Sequence, residues 1–155
     1  MLQEQQHRGL DNTGTFVKED VCIGHNRLSI IDLSSNANQP FFDITKRYLI
    51  SFNGEIYNYL ELKAKLNYNF KTNSDTEVLL AAYIKWGKSC LQYLNGMFSF
   101  VIYDTKKEKL FAARDRFGVK PFYYYNKDNC FFFASEIKTL FKAGISKRPN
   151  NRVWA

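Results

Sequence analysis

The run Tyr48-Leu49-Ile50-Ser51-Phe52 is apolar, aromatic and β-branched, and it stops abruptly at Asn53-Gly54-Glu55, just before a stretch of helical spacing begins at Tyr57. A run of this kind predicts a strand. Its sudden end places an amide side chain, a backbone N–H and a carboxylate at one sheet edge, a set that can hold a developing oxyanion beside a charged substrate. Asn-Gly is also a strong turn signal. Taken alone, the dipeptide reads first as a turn.

The surrounding chain narrows the choice. At 155 residues it suits one domain with a single sizeable core. Its 45% hydrophobic and 24% charged content is ordinary for a globular protein, and 17% aromatic content suits a sheet core. A formal charge of +7 admits an anionic partner. However, the lysines are scattered, at Lys63, Lys65, Lys71, Lys85, Lys88, Lys106, Lys107 and Lys109, with no Arg-rich helix and no zinc or RNA-binding signature. Solvated faces explain them, and nucleic acid is not expected. Cys22, Cys90 and Cys130 are far apart and odd in number, which argues against a disulfide framework and suits a reducing cytoplasm. No Cys/His spacing suits a metal, and no apolar run approaches the roughly 18 residues of a membrane helix. The polar start, Met1 to Gln6, is unlike a signal peptide.

Along the chain, Met1–Gln6 reads as a helix end, His7–Gly14 as a loop and Val21–Ile31 as a strand buried on both faces. Asp32–Pro40 is a loop. Tyr57–Leu66 has helical spacing, with Tyr59, Leu62 and Leu66 on one side. Ser74-Asp75-Thr76-Glu77 is a capping box, with Ser74 as cap and Glu77 reaching back, and Gly87 ends that helix. A short helix over Ser89–Leu94 follows. Met97–Asp104, Leu110–Arg114, Phe122–Tyr125 and Cys130–Ala134 form a meander of four strands, and Ser135 caps a last helix, Glu136–Lys142. No βαβ repeat is present. The fold expected is α+β with antiparallel sheets.

Eight segments, in order over nearly the whole chain, resemble the glutamine amidotransferase domain of glutamine-hydrolysing asparagine synthetases. They are His7-Arg8-Gly9, Gly24–Ser34 (GHNRLSIIDLS), Gln39-Pro40, Asn53–Tyr59 (NGEIYNY), Ser74–Glu77 (SDTE), Leu94–Asp104 (LNGMFSFVIYD), Ala113–Tyr125 (ARDRFGVKPFYYY) and Ala134–Lys138 (ASEIK). The resemblance implies a four-layer αββα sandwich of the N-terminal-nucleophile hydrolase type over residues 1–145, with 146–155 leading toward a synthetase domain. It implies hydrolysis of the glutamine side-chain amide to glutamate and ammonia. The ammonia would amidate aspartate in the synthetase domain, which uses ATP and Mg; the glutaminase half needs no cofactor or metal. Partners implied are L-glutamine and that synthetase domain, with a homodimer compatible and a cytoplasmic setting expected.

The resemblance also assigns roles. Arg27 matches the group that binds the substrate carboxylate, for which a planar guanidinium is suited, and Leu28, Ser29, Ile30 and Ile31 continue that binding segment. Asp75 matches the residue facing the ammonium, although an acid in a first helical turn also favours the helix dipole with no ligand at all. Glu55 matches a second contact to the same end. Asn53 and Gly54 match the oxyanion hole, one through its side chain and one through its N–H. Arg114-Asp115-Arg116 reads as a corner held by ion pairs, and His7 and His25 as core or loop histidines.

In this family the nucleophile is a cysteine made N-terminal by removal of the initiator Met, with its own amino group as base. That cysteine lies well ahead of the His-Arg-Gly motif, and here only Met1–Gln6 precedes it. The expectation is a glutaminase part without its nucleophile and inactive by itself, with Cys22 a buried structural thiol in mid-strand. Two readings stay open beside it. One is the amidotransferase domain of another acceptor system. The other is a noncatalytic glutamine- or partner-binding module.

Overall fold

The computed structural model describes residues 1–147; the expectation for the tail from 146 onward therefore falls almost wholly outside the described residues. The chain is α+β, and every strand pairing is antiparallel. A 3₁₀ segment, Leu2–Arg8, leads into hairpin β1 (Asn12–Lys18) and β2 (Val21–Arg27). A central four-stranded sheet runs β3 (Phe41–Phe42), β4 (Tyr48–Ile56), β5 (Gly96–Asp104) and β6 (Lys109–Arg114). Between β4 and β5 come α1 (Tyr59–Lys65), α2 (Asp75–Trp86) and a 3₁₀ segment, Gly87–Gln92. Hairpin β7 (Tyr123–Lys127) and β8 (Cys130–Ala134) is separate, and α3 (Ile137–Lys142) follows.

Strand alternation sends β4 and β5 side chains to two different cores. Ile50, Phe52 and Ile56 of β4 join Phe98, Phe100 and Ile102 of β5 against α2, whose Val78, Leu79, Leu80, Ala81 and Ala82 are all buried. The opposite face carries Leu49 and Tyr103, which pack with Ile23 of β2, Phe16 of β1 and Phe133 of β8. The Leu2–Arg8 segment lies against β2, and α3 lies against β8 and that segment. Side-chain packing on both faces therefore fixes the central sheet in position and register.

Several expectations are corrected. The 48–52 strand does not turn at Asn53-Gly54: β4 runs on to Ile56, pairing Gly54 with Phe98. A long partner in register offers more hydrogen bonds than a local turn. The strand over 21–31 ends at Arg27, and Leu28 and Ile30 are 61% and 70% exposed. Strand β1 covers part of what reads as a loop, since Thr13, Thr15 and Val17 alternate with residues of weaker strand signal. The meander breaks after β6, so β7–β8 forms its own hairpin.

Two capping assignments also change. Ser74 does cap α2, its Oγ accepting from Thr76 N–H at 3.1 Å. Glu77 does not reach back to it. The buried Glu77 carboxylate instead accepts from Lys71 N–H, and from Thr72 N–H and Oγ at 2.7 Å each, because that loop folds over the first turn. Ser135 makes no cap hydrogen bond for α3. The 115–121 corner is held by hydrogen bonds to one carboxylate rather than by ion pairs. Asp115 accepts from the N–H groups of Phe98, Phe117, Val119 and Lys120, while Arg114 donates to the carbonyls of Gly118 and Lys120.

Candidate active site

A cavity of about 400 Å³ lies where β2, β4, the start of α2 and the β7–β8 hairpin approach one another. It brings together Arg27, Leu28, Ile30, Ile31, Asn53, Gly54, Glu55 and Asp75. Ser29 is not among the lining residues; its N–H donates to the Asp11 carboxylate at 2.7 Å, which ties the 28–31 segment to the start of β1.

Arg27 ends β2 and is buried. Its Nη1 donates to Ser34 O at 2.7 Å and Asn38 Oδ1 at 2.8 Å, and its Nη2 donates to Asp32 O. A guanidinium carries five N–H donors. These contacts use three, leaving the Nε–H and one Nη2 hydrogen for an anion. The loop around Arg27 is closed by Asp32, whose Oδ1 accepts from Ser34 N–H and Oδ2 from Asn73 N–H, both at 2.8 Å. Hydrogen bonding from Ser34 and then Asn73 holds the Asp32 carboxyl below its ordinary range. One aspartate thus joins the arginine loop to the segment that starts α2.

Asp75 sits in the first turn of α2, buried, with Oδ2 accepting from Ile56 N–H at 3.0 Å. Burial pushes its carboxyl above the usual carboxylate range; the Ile56 hydrogen bond opposes this, and the nearby charge of Glu55 adds to it. Two adjacent acids with one destabilised by desolvation favour a cation between them. A single cation there would offset both the burial of Asp75 and its repulsion by Glu55.

The geometry of Gly54 follows from strand parity. In an antiparallel strand the N–H and C=O of one residue point to the same side. Phe98 O accepts from Asp115 N–H at 2.7 Å and Phe98 N–H donates to the Asp115 carboxylate at 3.2 Å, so Phe98 faces away from β4. Its partner Gly54 therefore faces away from β5, onto the outer edge of β4. Phe52 and Ile56 share that edge: Phe52 N–H donates to Gln39 Oε1 at 2.7 Å, and Ile56 N–H to Asp75. Strand β3 reaches only Leu49 and Ile50, so it covers none of these three groups. The Gly54 N–H lies between two claimed donors, and among the described residues no hydrogen bond across this edge uses it. A Cβ at Gly54 would meet Met97 O and would sit 2.7 Å from Phe98 Cα, so the close approach of β4 and β5 requires glycine. On the opposite face of the strand, Asn53 Nδ2 lies 3.5 Å from Ser135 Oγ.

The cysteines fall elsewhere. Cys22 is exposed, which corrects the expectation of a buried thiol. It also lines the cavity, on the face of β2 that carries Gly24 and Asn26 rather than Ile23 and His25. Ile23 packs on Leu49 and His25 reaches Phe52 O, whereas Gly24 abuts Leu2 and Asn26 donates to Leu2 O; alternation puts Cys22 with the latter pair. Cys90 is the buried thiol, and burial pushes it up to about 11. Cys130 is exposed at the β7–β8 turn. His7 is exposed and sits 2.9 Å from Glu136. His25 is largely buried, and desolvation takes it down to about 4.

Residue-by-residue reading missed Asp11, Asp32 and Gln39 as site residues. Asp32-Leu33-Ser34 carries a local signal, since an aspartate before a turn commonly accepts from the N–H two residues on. Asp11 and Gln39 act across the fold, and nothing in their own neighbourhoods marks them.

A family model described as a glutamine amidotransferase domain matches residues 1–153. Asparagine synthetase [glutamine-hydrolysing] 1 of Bacillus subtilis is 47% identical, over 92% of this chain and 23% of its own length. The same organism's asparagine synthetase [glutamine-hydrolysing] 3 is 43% identical, over 90% of this chain and 24% of its length. The amidase chry2 of Gibberella zeae is 42% identical, over 90% of this chain and 21% of its length. The chain spans about a quarter of the length of the curated relatives it matches.

Proposed function

The chain belongs to the glutamine amidotransferase domain family, and on that premise we propose that it is the glutamine-binding and oxyanion-stabilising part of a glutamine-hydrolysing asparagine synthetase. Glutamine's α-carboxylate takes the two free donors of Arg27, and its ammonium lies between Asp75 and Glu55. The side-chain amide then lies along the β4 edge, with its oxygen at the Gly54 N–H and the Asn53 side chain. Attack on the amide carbon moves a bonding pair onto that oxygen. Donors fixed beforehand stabilise the charge, and one such donor is worth roughly a hundredfold to a thousandfold in rate. Collapse of the tetrahedral adduct expels ammonia, and water releases glutamate.

The single observation that carries this reading is the unclaimed Gly54 N–H on an edge where both flanking N–H groups are claimed. The fold is that of N-terminal-nucleophile hydrolases, with α1 and α2, the central sheet, the two hairpins, and α3 with the Leu2–Arg8 segment as its four layers. None of the three cysteines faces the outer edge of β4 at Gly54, so the attacking thiolate comes from outside this chain and the chain alone releases no ammonia. Ammonia passes to a synthetase domain in which ATP with Mg activates aspartate, in the cytoplasm.

Glutamine labelled with ¹⁵N at the amide tests this. The full-length protein releases labelled ammonia, this chain alone releases none, and Cys22→Ala leaves the full-length rate unchanged. Ammonia release by this chain alone overturns the assignment of roles.

A further inference from the structure

Phe52 immediately precedes Asn53-Gly54 in β4, and it lies beyond the reach of β3. An edge peptide so close to a reacting centre would ordinarily be free to twist or to bind water. Here a side-chain amide occupies the place of a neighbouring strand. Gln39 Oε1 accepts from Phe52 N–H at 2.7 Å, and Gln39 Nε2 donates to Phe52 O at 3.2 Å. Both partners of one residue are thus held by one planar amide, as a peptide group in a sheet would hold them. Gln39 is itself buried, and its Nε2 also lies 3.4 Å from Thr76 Oγ in the first turn of α2. His25 Nε2 donates a second hydrogen bond to Phe52 O at 3.0 Å.

The next N–H on the same side of the strand is that of Gly54. We propose that Gln39 is a positioning residue that fixes the direction of the Gly54 N–H by clamping the Phe52 peptide. Gln39 lines the same cavity, but its amide oxygen and nitrogen are both engaged by the Phe52 peptide, so its effect on the reaction runs through the backbone. This rests on the glutaminase reading above and names what orients its oxyanion donor. Glutamine's α-carboxylate and ammonium are held by Arg27, Asp75 and Glu55, at the far end of the substrate. Loss of the clamp therefore weakens stabilisation of the transition state while leaving ground-state binding in place. Misplacement of a reacting group by about 1 Å costs on the order of a hundredfold.

The test is steady-state glutamine hydrolysis by the full-length protein, unsubstituted and with Gln39→Leu or Gln39→Glu, with thermal unfolding measured on each. Gln39→Leu is expected to lower kcat by about tenfold to a hundredfold with KM within about twofold. Gln39→Glu keeps the acceptor for Phe52 N–H. When ionised it has no donor for Phe52 O, and when protonated it regains one. Its kcat relative to the unsubstituted protein is expected to rise as pH falls through the titration of the introduced carboxyl. If Gln39→Leu does not fold, that pH-dependent ratio carries the test alone. Hydrolysis with an unchanged kcat in these variants, a proportional rise of KM, or a flat ratio across pH overturns the clamp alone. No hydrolysis by the unsubstituted protein overturns the glutaminase reading, and the clamp falls with it.

Discussion

Gly54→Ala places one methyl group at the narrowest point between β4 and β5. The added carbon would meet Met97 O and sit 2.7 Å from Phe98 Cα and 2.9 Å from Phe52 Cε2, at a φ of +157°. Ordinary contacts of this kind begin near 3.4 Å, so the Phe98 backbone must retreat by more than half an ångström. That backbone cannot yield easily, because Asp115 holds both its N–H and its C=O. Overpacking of this sort costs about 1–3 kcal/mol, which with a urea slope of about 2 kcal/mol/M lowers the unfolding midpoint by roughly 1 M. The same shift moves the Gly54 N–H, so glutamine turnover by the full-length protein falls by about a hundredfold or more. Urea denaturation followed by circular dichroism reads the first effect, and ammonia release reads the second. An alanine variant with an unchanged midpoint and unchanged turnover would refute both the close approach and the role of the edge.

Arg27→Lys removes the planar donor set that joins the 32–38 loop to an anion; glutamine affinity is expected to fall by about tenfold or more, read by calorimetry on the chain. His25 is held neutral by burial, with a value of about 4 against its ordinary 6.5; its hydrogen bond to Phe52 O opposes this, and the positive charge of Arg27 adds to it. The unfolded chain therefore binds more protons between these values, so stability is full above about pH 6.5 and is lost as pH falls toward 4, by roughly 3 kcal/mol in all. Thermal unfolding across that range measures it, and His25→Gln flattens that part of the profile. A thiol reagent is expected to label Cys22 and Cys130 in the native chain but Cys90 only on unfolding, since Cys90 alone is buried; protection of Cys22 would contradict the edge position of β2.

Much of the fold is legible in the sequence because its strongest local signals agree with the tertiary outcome. The Ser74 cap, the Tyr59/Leu62 face and the Cys130–Ala134 strand fall where propensity and spacing place them. The failures are of one physical kind. Asn53-Gly54 reads as a turn locally, yet a nine-residue partner strand overrides it. Glu77 reads as a capping-box acid, yet the 71–72 loop offers it three donors. Leu28 and Ile30 read as buried strand, yet the Arg27 and Asp11 contacts bend the chain out of the sheet. In each case hydrogen bonds to groups outside the element outweigh the preference inside it. In the sequence, only motif resemblance groups Arg27, Asp75 and Glu55 with Asn53-Gly54, because it is the fold that brings residues 27, 54 and 75 to one cavity. Gln39 shows the same limit, since its pairing with Phe52 spans 13 residues and leaves no local mark.

The central claim is that the cavity between Arg27, Asp75 and the outer edge of β4 receives glutamine with its amide oxygen at Gly54. The most direct measurement is a titration of the ¹⁵N-labelled chain with L-glutamine, following the Gly54 amide and the Arg27 Nε resonances. Both are expected to shift together and saturate at one ligand per chain, with Asp75→Ala abolishing the response. A Gly54 amide that stays fixed while glutamine binds, or no binding at millimolar glutamine, would contradict the claim.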